Sequence, residues 1–235
     1  MLERKKAILT AGLRDFIKTG KPVTSENLYQ NHRFNIKPAM IRAELHSLTT
    51  EGYFYQKHSS GGRLPSNKAY RFFVDEISNP ALEDSFEQIE SLAGLIEYFK
   101  EGKKDNFIEQ LAKELRILSV GYEPLEKNFY QSGFEQLVRQ LEFEMKSDFL
   151  EVVEDFEFLP KRLSGPACFW QHYQNWPQVF IGRSPVTSCP QLSLIADEFE
   201  KKGKIFLLLA IGPKRMDYQK SLKTLKVLKN SLKNG

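Results

Sequence analysis

The chain of 235 residues is predicted to be an α+β protein of two domains: a basic, mainly helical one over residues 1–78 and a mixed one over 79–235. Three observations carry that expectation. Between 38 and 75, one amphipathic helical pattern is followed by an alternating aromatic run, a glycine-rich tip and a second helical pattern. Between 204 and 211 the chain is apolar after its first residue, which marks a strand covered on both faces, and a long amphipathic helix follows. Charge is also segregated along the chain. Residues 1–75 hold 13 Lys and Arg against 6 Asp and Glu, residues 76–160 hold 8 against 20, and residues 161–235 hold 13 against 4. A mild formal net charge of +4 therefore hides a basic head, an acidic middle and a basic tail.

In the first domain, Ile8, Leu9, Leu13, Phe16 and Ile17 make the inner face of a helix from about Glu3 to Lys18, capped by Gly20 and kept from resuming by Pro22. Thr24 or Ser25 opens a short helix with Leu28 and Tyr29, and residues 31–36 form a turn. The next helix starts at Pro38, where the missing N–H costs nothing. Ile41, Leu45 and Leu48 fall at i, i+4 and i+7 and form its buried stripe. At about 100° per residue, Ala39, Ala43, His46 and Thr50 share the opposite face and Arg42 its flank. Gly52 ends this helix. Tyr53–His58 alternates and is predicted to be a strand, residues 59–62 a flexible tip, and Ser66 the cap of a helix carrying Lys68 and Arg71. Helix, helix, helix, strand, wing is the order of a winged helix-turn-helix. A small-residue outer face beside a basic hairpin suits a DNA duplex, with the helix in the major groove and the cations on phosphate. The expected contacts are Lys37, Ala39, Met40, Arg42, Ala43 and His46 on the helix, Lys57, His58 and Arg63 on the wing, and Lys68 and Arg71 behind it. A small helical domain whose basic residues are only solvated fits the same pattern.

Several segments resemble one family. AMIRA at 39–43, EGY at 51–53 and HSSGGRLPSNKAYRFFVD at 58–75 are similar to the N-terminal motifs of HrcA, the bacterial heat-inducible transcription repressors. So are DFIKTGKPVTSENL at 15–28, FYQSGFEQLVRQLEF at 129–143 and IGPKRMDYQKSL at 211–222. The resemblance implies a cytoplasmic repressor of chaperone genes. It also implies a homodimer on an inverted-repeat operator of the CIRCE kind, supported by a GroEL-type chaperonin. The second domain would be a reduced GAF-like domain, because the sequence at 121–133 passes over the family's longer middle region and inserted domain. The recognition helix departs from the family pattern at Lys37, Pro38, Met40 and Ala43.

In the second domain, Ser85 with Gln88 makes a capping box for a helix with Phe86, Ile89, Leu92, Leu95 (or Ile96) and Phe99 inward. Asp105 caps another with Phe107, Ile108, Leu111, Leu115 and Leu118. Those stripes exceed what a small sheet covers, so a dimer surface is expected on these helices. Gly121–Gly133 reads as a loop, 134–143 and 147–158 as short helices, and 160–170 as irregular. Strands are expected at 179–182, 192–196 and 204–211. Asp217 caps a last helix with Tyr218, Leu222, Leu225, Leu228 and Leu232 buried and Lys220, Lys223, Lys226 and Lys229 facing water.

Catalytic and cofactor motifs are absent: there is no GxSxG, phosphate loop, HExxH or dinucleotide fingerprint. The four histidines, at 32, 46, 58 and 172, are scattered, and Cys168 and Cys189 form no CxxC, so neither an enzyme nor a metal site nor a cofactor is expected. The longest apolar run, 205–211, is far short of the ~20 residues of a membrane span. Trp170, His172, Tyr173 and Trp176 form an aromatic cluster that packing or a partner surface explains better than a ligand pocket. The sequence therefore predicts a non-enzymatic, cytoplasmic repressor. A ligand-sensing regulator and a winged-helix module that no longer reads DNA are the alternatives.

Overall fold

The computed structural model describes residues 2–58, 61–78, 92–141, 145–165, 173, 177–201 and 203–233. The chain divides into two compact units, Met1–Asn79 and Pro80–Gly235.

The first unit is built on α1 (Glu3–Thr19), α2 (Ser25–Asn31) and α3 (Pro38–Thr50). Ile8, Leu9 and Leu13 of α1, Leu28 of α2, and Ile41, Leu45 and Leu48 of α3 are fully buried. Phe16 and Ile17 are only half-buried. Gly20 ends α1 in the left-handed region, with φ 68°. Thr24 caps α2 by accepting from the Asn27 N–H at 3.1 Å. Asn35, at φ 53°, turns the chain into α3, a conformation that asparagine tolerates better than most residues. A two-residue hairpin follows, β1 (Phe54–Tyr55) against β2 (Leu64–Pro65), antiparallel. Then α4 (Asn67–Ile77) is capped by the Ser66 hydroxyl and buries Tyr70, Phe73 and Val74.

The strand expected over Tyr53–His58 is therefore shorter. After Tyr55 the chain leaves the ladder: the Gln56 side chain donates to the Gly61 carbonyl at 2.8 Å, and the Gly61 N–H closes a turn onto His58 at 3.0 Å. Ser59 and Ser60 lie outside the described residues.

The second unit holds a five-stranded antiparallel sheet in the order β4-β3-β7-β6-β5. Its strands are β3 (Leu118–Glu123), β4 (Asn128–Ser132), β5 (Gln178–Ile181), β6 (Leu192–Lys201) and β7 (Lys204–Pro213). The apolar run at 205–211 is the central strand, buried from Phe206 onward. On one face, α5 (Ala93–Lys100) and α6 (Lys104–Leu115) pack with α10 (Tyr218–Lys233). There Phe99 meets Phe107, Phe199 and Phe206 edge to face, at 5.0–6.2 Å between ring centres. On the other, α7 (Phe134–Gln140), α8 (Lys146–Glu157) and α9 (Leu159–Ser164) contribute Leu137, Val152, Phe156, Leu159 and Leu163 to a core with Val120, Leu194 and Leu209.

Several expectations are corrected here. The chain at 118–132 is a hairpin, not the end of a helix and a loop. Arg116, at φ 55°, stops α6 one turn before Leu118, and Lys127, at φ 58°, makes the turn between β3 and β4. Gly121 is no turn residue: a Cβ there would stand 2.5 Å from the Phe206 ring. Asp105 lies inside the first turn of α6, and Lys103 holds the cap position. Residues 159–164 are helical, with Pro160 in the first turn where it forfeits no hydrogen bond. β6 runs on through the charged stretch 197–200, since Asp197 is buried against Lys229. Lys229 consequently does not face water as Lys220 and Lys226 do, and Lys223 is half-buried.

The surplus apolar surface expected on α5 and α6 is also missing from their described parts. Leu95, Phe99, Phe107, Ile108 and Leu111 are all buried within this unit. The segment with Ser85, Phe86, Gln88 and Ile89 lies outside the described residues, as do Trp170, His172 and Trp176. Tyr173 packs edge to face on Phe180, 5.8 Å between ring centres.

Candidate nucleic-acid interface

The candidate surface is the outer side of α3 and the hairpin beside it. Burying Ile41, Leu45 and Leu48 turns Lys37, Ala39, Met40, Arg42, Ala43, His46 and Thr50 outward, and all seven are exposed. Ala39 and Ala43 keep that face shallow, so the backbone of α3 can approach a partner closely. The turn before α3 is tied down, because the His32 ring lies 2.9 Å from the Asp15 carboxylate and Asn31 donates to the same group at 3.2 Å.

Carboxylates are drawn off the outer face. Glu44 is buried on the inner side of α3 and accepts from Arg4 at 2.6 and 2.9 Å. Glu51 accepts from Lys5 at 2.5 Å and Ser47 at 3.0 Å. Its pKa is lowered, first by the Lys5 bond and then by Ser47. Glu76 pairs with Lys6 at 2.5 Å. Three cations of α1 therefore neutralise acids of α3, its C-terminal cap and α4. Among the described residues, the Arg42 side chain has no ion pair or hydrogen bond.

The hairpin's return arm is held from two sides. Val23 and Arg63 exchange backbone hydrogen bonds, both 2.8 Å, which adds Val23 as a third pairing partner. Gly62 lies flat on Pro22, where a Cβ would come within 2.7 Å of the proline ring. The Arg63 side chain turns back to α3 and its Nε donates to Thr49 Oγ1 at 3.0 Å. Arg63 is half-buried. Burial, and then the neighbouring Arg42 cation, hold its pKa below the ordinary value. Lys57 and His58 are exposed on the outgoing arm.

Lys68 goes elsewhere. Its Nζ donates to the Glu51 carbonyl at the end of α3, 2.8 Å away, and sits 4.4 Å from the centre of the Tyr53 ring. A cation there complements the negative end of the helix. Arg71 is exposed on α4. The structure thus lines up Lys37, Ala39, Met40, Arg42, Ala43 and His46 on α3, joins Arg63 to that helix, and assigns Lys68 to the helix end. Thr49 escaped sequence reasoning. Its partner lies 14 residues away, and a threonine late in a helix carries no local signal.

No group of three or more His, Cys, Asp and Glu side chains that could hold a metal occurs among the described residues. Cys189 is a buried free thiol whose pKa is pushed up, mainly by burial. No helix among the described residues is long and apolar enough to cross a membrane.

Fold and site together define an α+β protein with an antiparallel sheet and a basic head of helices and a hairpin. The chain belongs to the HrcA family: the family model described as the HrcA protein C terminal domain matches residues 62–222. It is similar to the heat-inducible transcription repressor HrcA of Acetivibrio thermocellus, 36% identical over 115 residues, which is 49% of this chain and 31% of that protein. It is similar also to the HrcA of Desulforudis audaxviator, 45% identical over 78 residues, 33% of this chain and 23% of that protein. The matches span about a third or less of these relatives' own length. A crystal structure described only as that of a hypothetical protein at 2.2 Å resolution shares the fold. It aligns over 100% of this chain and 98% of its own, with TM-score 0.74 and 15% identity.

Proposed function

We propose that this chain is a sequence-specific, non-enzymatic transcriptional repressor. Unit 1 is its winged helix-turn-helix, α3 its recognition helix, and unit 2 a reduced GAF-like domain for regulation and dimerisation. The observation that carries the reading is the outer face of α3: small exposed residues flanked by Arg42 and Arg63, with Glu44, Glu51 and Glu76 paired to cations of α1. Such a face suits a polyanion with readable edges. The relatives' name, heat-inducible transcription repressor, supports a heat-linked repressor, and chaperone genes as its targets are part of the proposal.

One winged helix makes few phosphate and base contacts. A two-fold dimer doubles them and matches an inverted repeat of the CIRCE kind. Sedimentation at micromolar concentration tests this, and a chain that stays monomeric even on an inverted-repeat duplex refutes the dimer. The whole reading is tested by selecting bound sequences from random duplex DNA. An enriched inverted repeat supports it, and a pool that stays random refutes it.

Arg63→Ala is expected to weaken binding to every duplex, scrambled ones included, because the phosphate contact it loses carries no base information. The slope of log K against log salt should fall by about 1. An unchanged slope would place the Arg63 head away from the DNA.

A GroEL-type chaperonin that keeps the repressor competent, with heat as the release, completes the proposal. Adding chaperonin to mildly heated protein should raise the DNA-binding fraction. A fraction that never changes removes the chaperonin from the account.

A further inference from the structure

The feature left unexplained by a simple phosphate contact is where Arg63 spends its Nε. An arginine meant only to reach a duplex gains from staying extended and solvated. This one is folded back onto α3, half out of water, beside a second cation, Arg42. Both circumstances oppose the arrangement. What holds it is the 3.0 Å bond to Thr49 Oγ1 together with the two 2.8 Å backbone bonds to Val23. Thr49 is in turn oriented by donating to the Leu45 carbonyl at 2.8 Å, within the same helix. The result is a continuous link from the body of α3 through Thr49 and Arg63 to the hairpin's return arm and the segment before α2. The tail of α3 is fastened to the other end of the hairpin as well: Ser66 Oγ donates to the Gly52 carbonyl at 2.7 Å, and Lys68 to that of Glu51.

Resting on the DNA-binding reading above, we propose that Thr49 is a positioning residue for duplex recognition. Its hydroxyl fixes the Arg63 guanidinium, and so the angle between hairpin and recognition helix, so that the two meet one duplex in a single register. The geometry leaves the Arg63 Nη groups for a phosphate while Nε is held by the protein. A phosphate between hairpin and helix relieves the repulsion between Arg63 and Arg42, so the strained, cation-rich seam is matched to an anion. Selectivity depends on this link more than affinity does. A hairpin that swings freely still finds some phosphate on any sequence, but it no longer constrains which base edges α3 faces.

The test compares Thr49→Val, isosteric and lacking the hydroxyl, with wild type and Thr49→Ser. The probes are a labelled duplex bearing the selected sequence and a scrambled duplex of equal length and composition. For Thr49→Val, the preference for the selected duplex is expected to fall about tenfold, the scale of one hydrogen bond to a charged group. Affinity for the scrambled duplex, its salt slope and the thermal midpoint should hold. Thr49→Ser should restore the preference. Unchanged preference in Thr49→Val, a loss that Thr49→Ser does not repair, or a parallel loss on both duplexes overturns the inference while leaving DNA binding intact. A wild type that prefers no duplex overturns the DNA reading itself, and this inference with it.

Discussion

Ala43→Glu is expected to abolish sequence-specific duplex binding while unit 1 stays folded. Ala43 sits near the middle of the exposed face of α3, between Ala39 and His46. Glutamate is a good helix former, so the substitution costs the helix little. At an exposed position without packing, its effect on stability should stay within about 0.5 kcal/mol. On the duplex the consequence is different in kind. The new carboxylate enters the space where the backbone must approach the groove, and it faces phosphates instead of neutralising them. Specific complexes are typically on the order of 10³-fold or more tighter than non-specific ones, and that margin should vanish. Equilibrium binding to the selected duplex, with the thermal midpoint as control, reads the result. Ala43→Gln separates charge from bulk and should retain part of the binding. Normal affinity in Ala43→Glu would mean that α3 turns another face to its target.

The second large effect concerns the body of unit 2. Asp155 is completely buried at its side chain, 0% exposed, and pairs with Arg162 at 2.6 Å. Its two oxygens also accept from the Ser188 N–H and hydroxyl and from the Cys189 N–H, all at 2.7–2.8 Å. Arg162 donates further to the Val186 carbonyl at 2.8 Å. One carboxylate therefore ties the loop 184–189 to α8 and α9. Asp155→Ala leaves Arg162 half-buried without its counter-ion and takes away the acceptor of the buried Cys189 N–H and of the Ser188 N–H. Breaking such a buried pair costs about 3–5 kcal/mol, to be read as a lowered midpoint in denaturant. Burial alone would raise the Asp155 pKa, but the Arg162 bond and the Ser188 and Cys189 donors outweigh it, and the net shift is downward. The sign follows by linkage. The stabilisation is fully present above the carboxyl's unfolded pKa and is lost as pH falls through the lower folded value. Stability of Asp155→Ala should accordingly depend less on pH across that acid range. A midpoint equal to wild type would mean the loop is held by other contacts.

Much of this architecture was legible residue by residue, and what was not has physical reasons. Ile41, Leu45 and Leu48 could be placed because helical spacing and burial agree there. The central strand could be placed because an unbroken apolar run with a glycine-proline stop leaves few alternatives. The β3–β4 hairpin is hidden in the sequence because Leu111, Leu115 and Leu118 continue a helical period across the point where Arg116 turns left-handed, a backbone choice that arginine does not advertise. Gly121 adds to this, since a glycine that admits the Phe206 ring looks in sequence like one that makes a turn. The full length of β6 is not legible, because its acidic end finds its partner, Lys229, 32 residues on. The outer face of α3 followed from its buried stripe. Thr49, Glu44 and Asp155 did not, because each takes its meaning from a residue between 14 and 40 positions away. Local pattern is silent about contacts at that range.

The central claim is that the outer face of α3 and the hairpin bind duplex DNA through phosphates and read it through bases. The salt dependence of wild-type binding, measured side by side on the selected and scrambled duplexes, tests it most directly. The account predicts that log K falls linearly with log salt on both, with a slope of about −0.9 for each phosphate contacted, and that the selected duplex stays the tighter at every salt concentration. Binding that is insensitive to salt and equal on the two duplexes would contradict it.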